Sequence, residues 1–319
     1  MDTDNVESRK ENLLQTGDMM HHEKMISIVL PVYNGATHLA YSIESVIHQA
    51  YQNWELIIVN DCSTDDSLAI AESYQKKDSR IRVISNEKNL KLPLTLNAGF
   101  SQAKGEYFTW TSDDNMYKPE ALRRLAQELD QDADCVMVYS DCTIIDSDGK
   151  EIGPAPCMEP EQIVVGNVFG ACFLYRAEVA RKVGLYDANL FLAEDYDYWM
   201  RIYRNGKIKY VKESLYLYRH HDGSLTTTKK ALVNMQTYYT LEKNFLPLYA
   251  DAKNRGLEFA LFDQMMYRVS DDQKEATMEL LCAVNGKYTM YLQQKEIMAR
   301  LRAGIIGKVW RAMKGIMKR

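Results

Sequence analysis

The sequence predicts an α/β protein in which a mostly parallel sheet flanked by helices is followed by a helical C-terminal region. Continuous apolar, β-branched runs alternate with segments of helical periodicity through the first half of the chain. Such alternation favours a parallel sheet with right-handed crossovers. Residues 229–301 lack strong strand signals and are rich in Leu, Met, Ala, Glu and Lys, so they favour several helices.

The elements follow from the chain in order. After a polar tail over residues 1–24, the apolar run at residues 25–33 predicts the first strand, and Asn34-Gly35 ends it. The pattern of strand and helix then repeats. The further predicted strands cover residues 55–61, 81–86, 106–112 and 135–141, and the predicted helices cover residues 36–50, 66–77, 93–103 and 119–129.

The second half of the α/β region departs from this alternation. Ser147-Asp148-Gly149 predicts a hairpin, where the parallel winding is expected to stop. Residues 166–184 are mixed and rich in small residues, and an apolar run at residues 208–221 precedes a Gly-Ser-Thr stretch. The predicted organisation is a tail (residues 1–24), an α/β domain (residues 25–226) and a helical C-terminal region (residues 227–319).

Composition disfavours several classes of protein. A formal net charge of -5 offers no overall attraction to nucleic acid, so no nucleic-acid partner is expected. The six cysteines include no C-x-x-C pair, which favours reduced thiols over a zinc site or a disulfide framework. The first residues lack the apolar core of a secretory signal, and no run of about 18 apolar residues occurs. A cytoplasmic location is therefore expected.

An acidic stretch directly follows the predicted strand at residues 106–112. Asp113, Asp114 and Asn115 place two adjacent carboxylates just past a buried strand, where they offer hard oxygen ligands to a divalent cation. In open α/β sheets, ligands bind at the carboxyl ends of the strands. A turn that caps the helix after Pro119 is the structural alternative.

Together with three other motifs, this stretch resembles the family 2 glycosyltransferases, which have the GT-A fold. The resemblance covers residues 25–226. Its motifs are LPVYN at residues 30–34, IIVNDCSTDDS at residues 57–67, Ser-Asp-Asp at residues 112–114 and FLAEDYDYWMR at residues 191–201.

The resemblance implies a nucleotide-sugar donor. In this family the loop after the first strand lines the nucleotide pocket, which would place Pro31, Val32, Tyr33 and Asn34 at the donor. Asp61 matches the residue that accepts a hydrogen bond from the uracil ring. A carboxylate suits that contact because uracil offers one N–H donor.

The resemblance also implies a divalent metal, Mn²⁺ or Mg²⁺. Asp114 matches the carboxylate that meets the metal and Asp113 the position that contacts the ribose, whereas Ser112 stands where many members have Asp. The metal would neutralise the departing diphosphate. Near the end of the domain, His221 could reach the diphosphate or the metal, and Arg219 could offset phosphate charge.

The fourth motif matches the family's acidic motif near the acceptor. Asp195 is the predicted general base for the acceptor hydroxyl, with Glu194 as the close competitor. Helical spacing sets Tyr198 and Trp199 on the same face as Asp195, which predicts an aromatic wall for an acceptor sugar.

Purely structural interpretations remain open for two of these motifs. Ser63-Thr64-Asp65 would cap the following helix. Glu194 and Asp195 would place favourable charge at a helix N-terminus. Within the same helix, the spacing of Asp197 and Arg201 predicts a structural ion pair.

The function implied by the resemblance is inverting transfer of a sugar, from a UDP-sugar to an acceptor hydroxyl. The acceptor would be a saccharide or a lipid-linked molecule in bacterial surface polysaccharide or glycolipid assembly. The alternative is a non-catalytic nucleotide-sugar-binding or scaffold protein that has kept the fold. Ser112, and Asn60 where the family often has Asp, favour that alternative.

Residues 303–319 predict a basic amphipathic helix. Their apolar residues fall on one helical face and their basic residues lie away from it. This composition is typical of a helix lying in a membrane surface, which would make the protein peripheral on the inner face of the cell membrane. A terminal helix docked on its own domain is the other interpretation.

Overall fold

A sheet of nine strands organises the residues that the computed structural model describes, which are 23–221, 223–224 and 228–300. The strands run in the order β3-β2-β1-β4-β8-β6-β9-β5, and β7 pairs with β6. Their bounds are β1 Ile26–Val32, β2 Trp54–Asn60, β3 Ile81–Ser85, β4 Tyr107–Trp110, β5 Met116–Tyr117, β6 Cys135–Ile145, β7 Glu151–Ala155, β8 Cys172–Arg176 and β9 Lys207–Arg219.

Helices cover both faces of this sheet. Short 3-10 helices span Pro160–Val165, Ala188–Leu190 and Asp271–Gln273, and residues 288–300 are also helical. The α-helices are α1 Leu39–Ile47, α2 Ser67–Gln75, α3 Lys91–Phe100, α4 Ala121–Gln131, α5 Ala177–Val183, α6 Glu194–Tyr203, α7 Lys230–Lys243, α8 Phe245–Asn254, α9 Glu258–Arg268 and α10 Lys274–Val284. None of the helices in the described ranges is long and apolar enough to cross a bilayer.

The four strands β3, β2, β1 and β4 form the parallel half, as predicted. Ile26 pairs with Trp54 of β2 on one side and with Tyr107 of β4 on the other. Every residue of β1 and β2 is buried, which explains why apolar residues predominate on both faces of each strand.

The remaining strands form a mixed half around β6. β8 runs antiparallel to both β4 and β6, and β6 runs parallel to β9. The predicted hairpin at Ser147-Asp148-Gly149 is confirmed, since it joins β6 to the antiparallel β7. β8 and α5 were missed by the sequence prediction because five and seven residues are too short to display a period in a segment rich in small residues.

The C-terminal helices share a core with one face of the sheet. Apolar side chains of α7, α8 and α9 pack in the same buried cluster as those of β6, β8 and α6. This cluster includes Tyr139, Phe173, Trp199, Tyr238, Leu241, Phe245, Leu261 and Phe262. The predicted boundary near residue 226 and the terminal segments 1–22 and 301–319, which contain the predicted amphipathic helix, lie outside the described residues.

One close approach between a helix and the sheet can be tested by mutation. A methyl group on Gly99 of α3 would lie 2.5 Å from Val29 Cγ1 and 3.0 Å from Val59 Cγ2. We expect Gly99→Ala to lower the free energy of unfolding by about 1–2 kcal/mol, because overpacking by up to about 3 kcal/mol exceeds the roughly 1 kcal/mol gained in helix propensity. Urea unfolding measures this difference.

The matched control is Gly153→Ala in β7, where an added methyl group meets no atom within 4 Å. We expect this variant to unfold within about 0.5 kcal/mol of the wild type. Equal stability of the two variants would show that α3 can move away from the sheet at no cost.

Candidate active site

Two loops at the carboxyl ends of β1 and β2 are hydrogen-bonded to each other. Asn34 Oδ1 accepts a bond from the Thr64 amide at 2.8 Å, and the Asn34 amide donates to Ser63 Oγ at 3.1 Å. The Ala36 amide donates to Asp65 Oδ2 at 3.0 Å. Asn34 has a φ of 56°, in the left-handed region that Asn tolerates. These bonds hold the two loops in one fixed arrangement.

The four residues predicted at the donor from the first loop differ in exposure. The side chains of Pro31 and Val32 are buried within β1, whereas Tyr33 and Asn34 are exposed. Any contact that Pro31 and Val32 make with a ligand must therefore come from their backbone. Tyr33 and Asn34 present side chains to the solvent at this edge of the sheet.

Asp61 is buried and supports the start of α3. Its carboxylate accepts bonds from the Leu90 amide at 2.8 Å, the Lys91 amide at 3.0 Å and Asn86 Nδ2 at 2.8 Å. A carboxylate has about four acceptor positions, so one position remains for a donor such as a uracil N–H. The uracil contact stays a prediction.

The acidic stretch after β4 brings Asp114 to His221. His221 Nε2 lies 3.1 Å from Asp114 Oδ2. The other carboxylate oxygen, Oδ1, accepts a bond from Ser112 Oγ, which in turn accepts one from Asn115 Nδ2 at 2.5 Å. The serine that departs from the family pattern therefore orients the carboxylate that the pattern assigns to the metal.

The Asp114 and His221 side chains fit a divalent metal. Two adjacent ligands at about 2.1 Å from an octahedral ion are about 3 Å apart, which matches the Oδ2–Nε2 separation. A carboxylate and an imidazole suit Mn²⁺, and Mg²⁺ accepts the carboxylate. The described residues contain no group of three or more His, Cys, Asp or Glu side chains able to hold a metal, so further ligands would be phosphate oxygens and water.

Asp113 packs against the first loop. A methyl group on Gly35 would lie 1.9 Å from Asp113 Oδ2, so only glycine allows this approach. Burial, and then the charge of Asp114, raise the pKa of Asp113 to about 7. The predicted ribose contact of Asp113 is untested by these contacts.

Arg219 corrects one expectation. Its side chain is 3% exposed, and its Nε donates to the Asp114 carbonyl at 2.9 Å. Its Nη1 donates to the carbonyls of Asp146 and Ser147 at 2.9 and 2.8 Å, and its backbone amide donates to Asn115 Oδ1 at 2.7 Å. Arg219 is thus a buried brace between the loop after β4 and the β6–β7 hairpin. The predicted direct contact with phosphate is wrong because these carbonyls hold the guanidinium.

His38 is a site residue that sequence reasoning missed. It lies just before α1, and its ring centre is 6.2 Å from that of His221. Burial, followed by the charge of Arg219, lowers the pKa of His38, so the ring stays neutral near pH 7. Its Nδ1 is buried without a hydrogen-bond partner among the described residues. No sequence spacing marks His38, because only the fold brings it to His221.

Glu194 and Asp195 open α6 with different exposure. Glu194 is buried, and its Oε2 accepts a bond from the Leu192 amide at 2.6 Å. Asp195 is partly exposed, and its Oδ1 accepts the Tyr196 amide at 2.7 Å while its Oδ2 accepts Asn167 Nδ2 at 2.8 Å. Burial raises the pKa of both carboxyls, and the neighbouring Asp195 raises that of Glu194 further. Asp195 is the more accessible of the two.

The predicted acceptor wall of Tyr198 and Trp199 is wrong. Tyr198 is 3% exposed and stacks on Tyr186 with ring centres 3.9 Å apart. Trp199 is 0% exposed and meets Phe173 edge-on at 4.5 Å. Helical spacing predicts that both residues lie on the Asp195 face of the helix, but the sheet and the C-terminal helices cover both of them. They form core rather than a sugar-binding surface.

The predicted pair of Asp197 and Arg201 is confirmed, and it extends to α7. Asp197 is fully buried and accepts bonds from Arg201 Nε at 2.9 Å, Lys243 Nζ at 3.0 Å and Asn244 Nδ2 at 3.0 Å. Lys243 also pairs with Asp187 at 2.8 Å. The helix that begins with Asp195 is therefore fixed to the C-terminal helices by a fully bonded carboxylate.

The fold is that of an α/β protein with acidic side chains at its candidate site, and sequence comparison assigns the family. The model of glycosyl transferase family 2 matches residues 27–184. An uncharacterized glycosyltransferase of Rickettsia prowazekii (strain Madrid E) is 30% identical over 239 residues, which cover 70% of this chain and 72% of that protein. Glycosyltransferase GlyG of Streptococcus pneumoniae serotype 4 is 30% identical over 224 residues, covering 65% of this chain and 74% of that protein. The chain belongs to glycosyltransferase family 2.

Solved structures confirm the GT-A fold. TarS 1-349 of S. aureus in complex with UDP-GlcNAc aligns with a TM-score of 0.55 and 16% identity, over 83% of this chain and 92% of that chain. Mannosyltransferase PcManGT from Pyrobaculum calidifontis, in complex with GDP-Man and Mn²⁺, aligns with a TM-score of 0.59 and 13% identity, over 92% of this chain and 87% of that chain.

The brace formed by Arg219 can be tested by stability. We expect Arg219→Met to lower the free energy of unfolding by about 2–4 kcal/mol, because three carbonyls lose charged hydrogen bonds. Arg219→Lys keeps the charge but not the planar fork, so it should recover only part of the loss. Chemical denaturation measures both variants.

The control for these variants is Arg123→Met, which removes an exposed arginine paired with Glu120. This change should lower the free energy of unfolding by less than about 1 kcal/mol. Full stability of Arg219→Lys would contradict the brace, since charge alone would then suffice.

Proposed function

We propose that this protein is an inverting, metal-dependent glycosyltransferase that moves a sugar from a UDP-sugar to an acceptor hydroxyl. The single observation that carries the proposal is the 3.1 Å approach of His221 Nε2 to Asp114 Oδ2. It supplies an oxygen and a nitrogen ligand at the carboxyl edge of the sheet, beside the two bonded loops. Inversion follows from the family resemblance, and a single displacement needs only one protein base.

Asp114 and His221 would hold Mn²⁺ or Mg²⁺, which neutralises the charge that grows on the departing diphosphate. This chain's residues supply the support for that site. Ser112 orients the Asp114 carboxylate, and Arg219 holds the Asp114 backbone by its carbonyl. The Mn²⁺ in the PcManGT complex supports a metal in this fold.

The loops after β1 and β2 would bind the nucleotide. Tyr33 and Asn34 present exposed side chains, Asp61 keeps one acceptor position for uracil, and Asp113 would contact the ribose. The UDP-GlcNAc bound by TarS supports a uridine donor. Because PcManGT binds GDP-Man, the donor panel below includes a GDP-sugar as well as UDP-sugars.

Asp195 would remove the proton of the acceptor hydroxyl. It is the more exposed carboxylate of the pair, whereas Glu194 is buried and bonded to its own loop. Burial raises the pKa of Asp195, which brings the carboxylate nearer to the basicity that a general base needs.

The acceptor would be a saccharide or a lipid-linked molecule in bacterial surface polysaccharide or glycolipid assembly. The curated relatives named above are bacterial proteins. The basic amphipathic pattern of residues 303–319 would bring a cytoplasmic enzyme to the inner face of the membrane, where such an acceptor is held.

The dependence of UDP binding on Mn²⁺ tests the Asp114–His221 pair. We expect Asp114→Asn and His221→Ala each to weaken UDP binding in Mn²⁺ by at least about 10-fold, because the metal links the protein to the diphosphate. Binding in EDTA should be the same in wild type and variants. Isothermal titration calorimetry measures the dissociation constants.

His48→Ala is the matched control, since His48 is an exposed histidine paired with Glu44 on α1. It should bind UDP as the wild type does in both buffers. An equal affinity of the wild type for UDP in Mn²⁺ and in EDTA would argue against the metal site.

Turnover separates the enzyme from a non-catalytic binding protein. Release of nucleotide from UDP-GlcNAc, UDP-glucose, UDP-galactose and GDP-mannose, with water as acceptor, should favour a UDP-sugar. We expect Asp195→Asn to lose about 10²- to 10⁴-fold in turnover while UDP binding is kept, because only the base is removed.

The pH dependence of this turnover has a defined sign. The base works as the carboxylate, so wild-type turnover should rise with pH through a pKa above the ordinary aspartate value. Asp251→Asn, which alters an acid paired with Arg255, should leave the profile unchanged. An Asp195→Asn variant with wild-type turnover would remove Asp195 from the mechanism.

A further inference from the structure

The segment that precedes β8 reaches the carboxylate at the start of α6. After the 3-10 helix Pro160–Val165 and Gly166, the exposed Asn167 donates from Nδ2 to Asp195 Oδ2 at 2.8 Å. The chain separation of 28 residues means that the fold, not local sequence, sets this contact.

The segment is anchored on both sides of Asn167. The Tyr196 hydroxyl donates to the Ile163 carbonyl at 2.6 Å in a buried position. Val168 and Phe169 are buried, and the Phe169 ring meets Tyr139 edge-on at 4.8 Å. An exposed amide is thereby held between buried anchors. One anchor is bonded to the residue that follows Asp195.

The two oxygens of Asp195 are held from two different elements. The Tyr196 amide binds Oδ1 from within α6, and Asn167 binds Oδ2 from the segment before β8. A carboxylate has about four acceptor positions, so each oxygen keeps about one open position. The two bonds fix the plane of the carboxylate and leave room for an acceptor hydroxyl.

We propose that Asn167 is a positioning residue that orients the Asp195 carboxylate toward the acceptor hydroxyl and stabilises its charged form. The inference rests on the proposed role of Asp195 as the general base. An amide N–H favours the ionised form of the acid that it binds. Asn167 therefore opposes the burial that raises the pKa of Asp195.

Within the described residues, the titratable groups electrostatically linked to Asp195 are Glu194, its neighbour in the chain, and Tyr186 from the segment before the helix. Charged groups on the packed elements are engaged elsewhere, because Lys243 on α7 pairs with both Asp187 and Asp197. Other pairs engaged away from Asp195 are Asp197 with Arg201 and Asp251 with Arg255.

The test is the pH profile of turnover, with the most active UDP-sugar from the donor panel above and water as acceptor. The acidic limb of this profile is the rise of turnover at low pH, as the Asp195 carboxyl loses its proton. We expect Asn167→Ala to move the acidic limb to higher pH by about one unit, because the carboxylate loses a charged hydrogen bond. Asn167→Asp should move the limb further, since a second carboxylate would face Asp195. The orientation effect should lower kcat more than it changes KM.

Asn189→Ala is the matched control. Asn189 makes the same kind of amide-to-carboxylate bond, at 3.1 Å, but to Asp187 rather than to Asp195. Its acidic limb should stay at the wild-type position. A limb that moves equally in Asn189→Ala would indicate a general structural effect and would overturn the inference.

A second measurement needs no turnover. Asn167→Ala should lower Tm in the wild-type background at pH 8 and should lose that effect in an Asp195→Ala background, because the bond partner is gone. Equal Tm changes in both backgrounds would overturn the inference.

The inference and the proposed function fail differently. Wild-type turnover in Asp195→Asn rejects the general base, and with it the catalytic role of Asn167. If the Asp195→Asn variant is inactive but the acidic limb of the Asn167→Ala variant stays at the wild-type position, the role of Asn167 is rejected and that of Asp195 stands. If no nucleotide sugar is turned over, the proposed function fails. The Tm changes then decide the contact by themselves: a Tm change confined to the wild-type background shows that Asn167 holds the Asp195 carboxylate, and equal changes in both backgrounds show that it does not.

Discussion

The buried guanidinium of Arg219 is the interaction on which the position of Asp114 and His221 depends. Arg219 is the last residue of β9, and its guanidinium binds carbonyls of the loop after β4 and of the β6–β7 hairpin. Because a buried cation must have its donors satisfied, these three segments are held in one geometry. His221, two residues further on, is then brought to Asp114.

A second buried charge fixes the helix that carries Asp195 in the same way. Asp197 lies two residues after Asp195 and is bonded by Arg201 in its own helix and by Lys243 and Asn244 at the end of α7. Removing such partners from a buried carboxylate is costly, so α6 and α7 remain together. The C-terminal helices thereby support the helix that carries Asp195, although the matched family segment ends at residue 184.

Much of the fold could be predicted because buried parallel strands leave a strong apolar signal. β1 and β2 are wholly buried, and apolar residues fill most positions of both strands. β8 could not be predicted, since its five residues form a strand only by pairing with β4 and β6. Spacing on α6 predicts that Tyr198 and Trp199 lie on the Asp195 face, but it carries no information on what covers that face.

The sequence by itself determined the family, the succession of strands and helices along the parallel half and the residue types placed at the carboxyl ends of its strands. Those features depend on local pattern and on motifs, which are properties of the chain. The tertiary structure alone decided that His221 meets Asp114, that Arg219 is a brace, and that Asn167 reaches Asp195. The physical reason is that a hydrogen bond between residues far apart in the chain depends on packing, which no periodicity encodes.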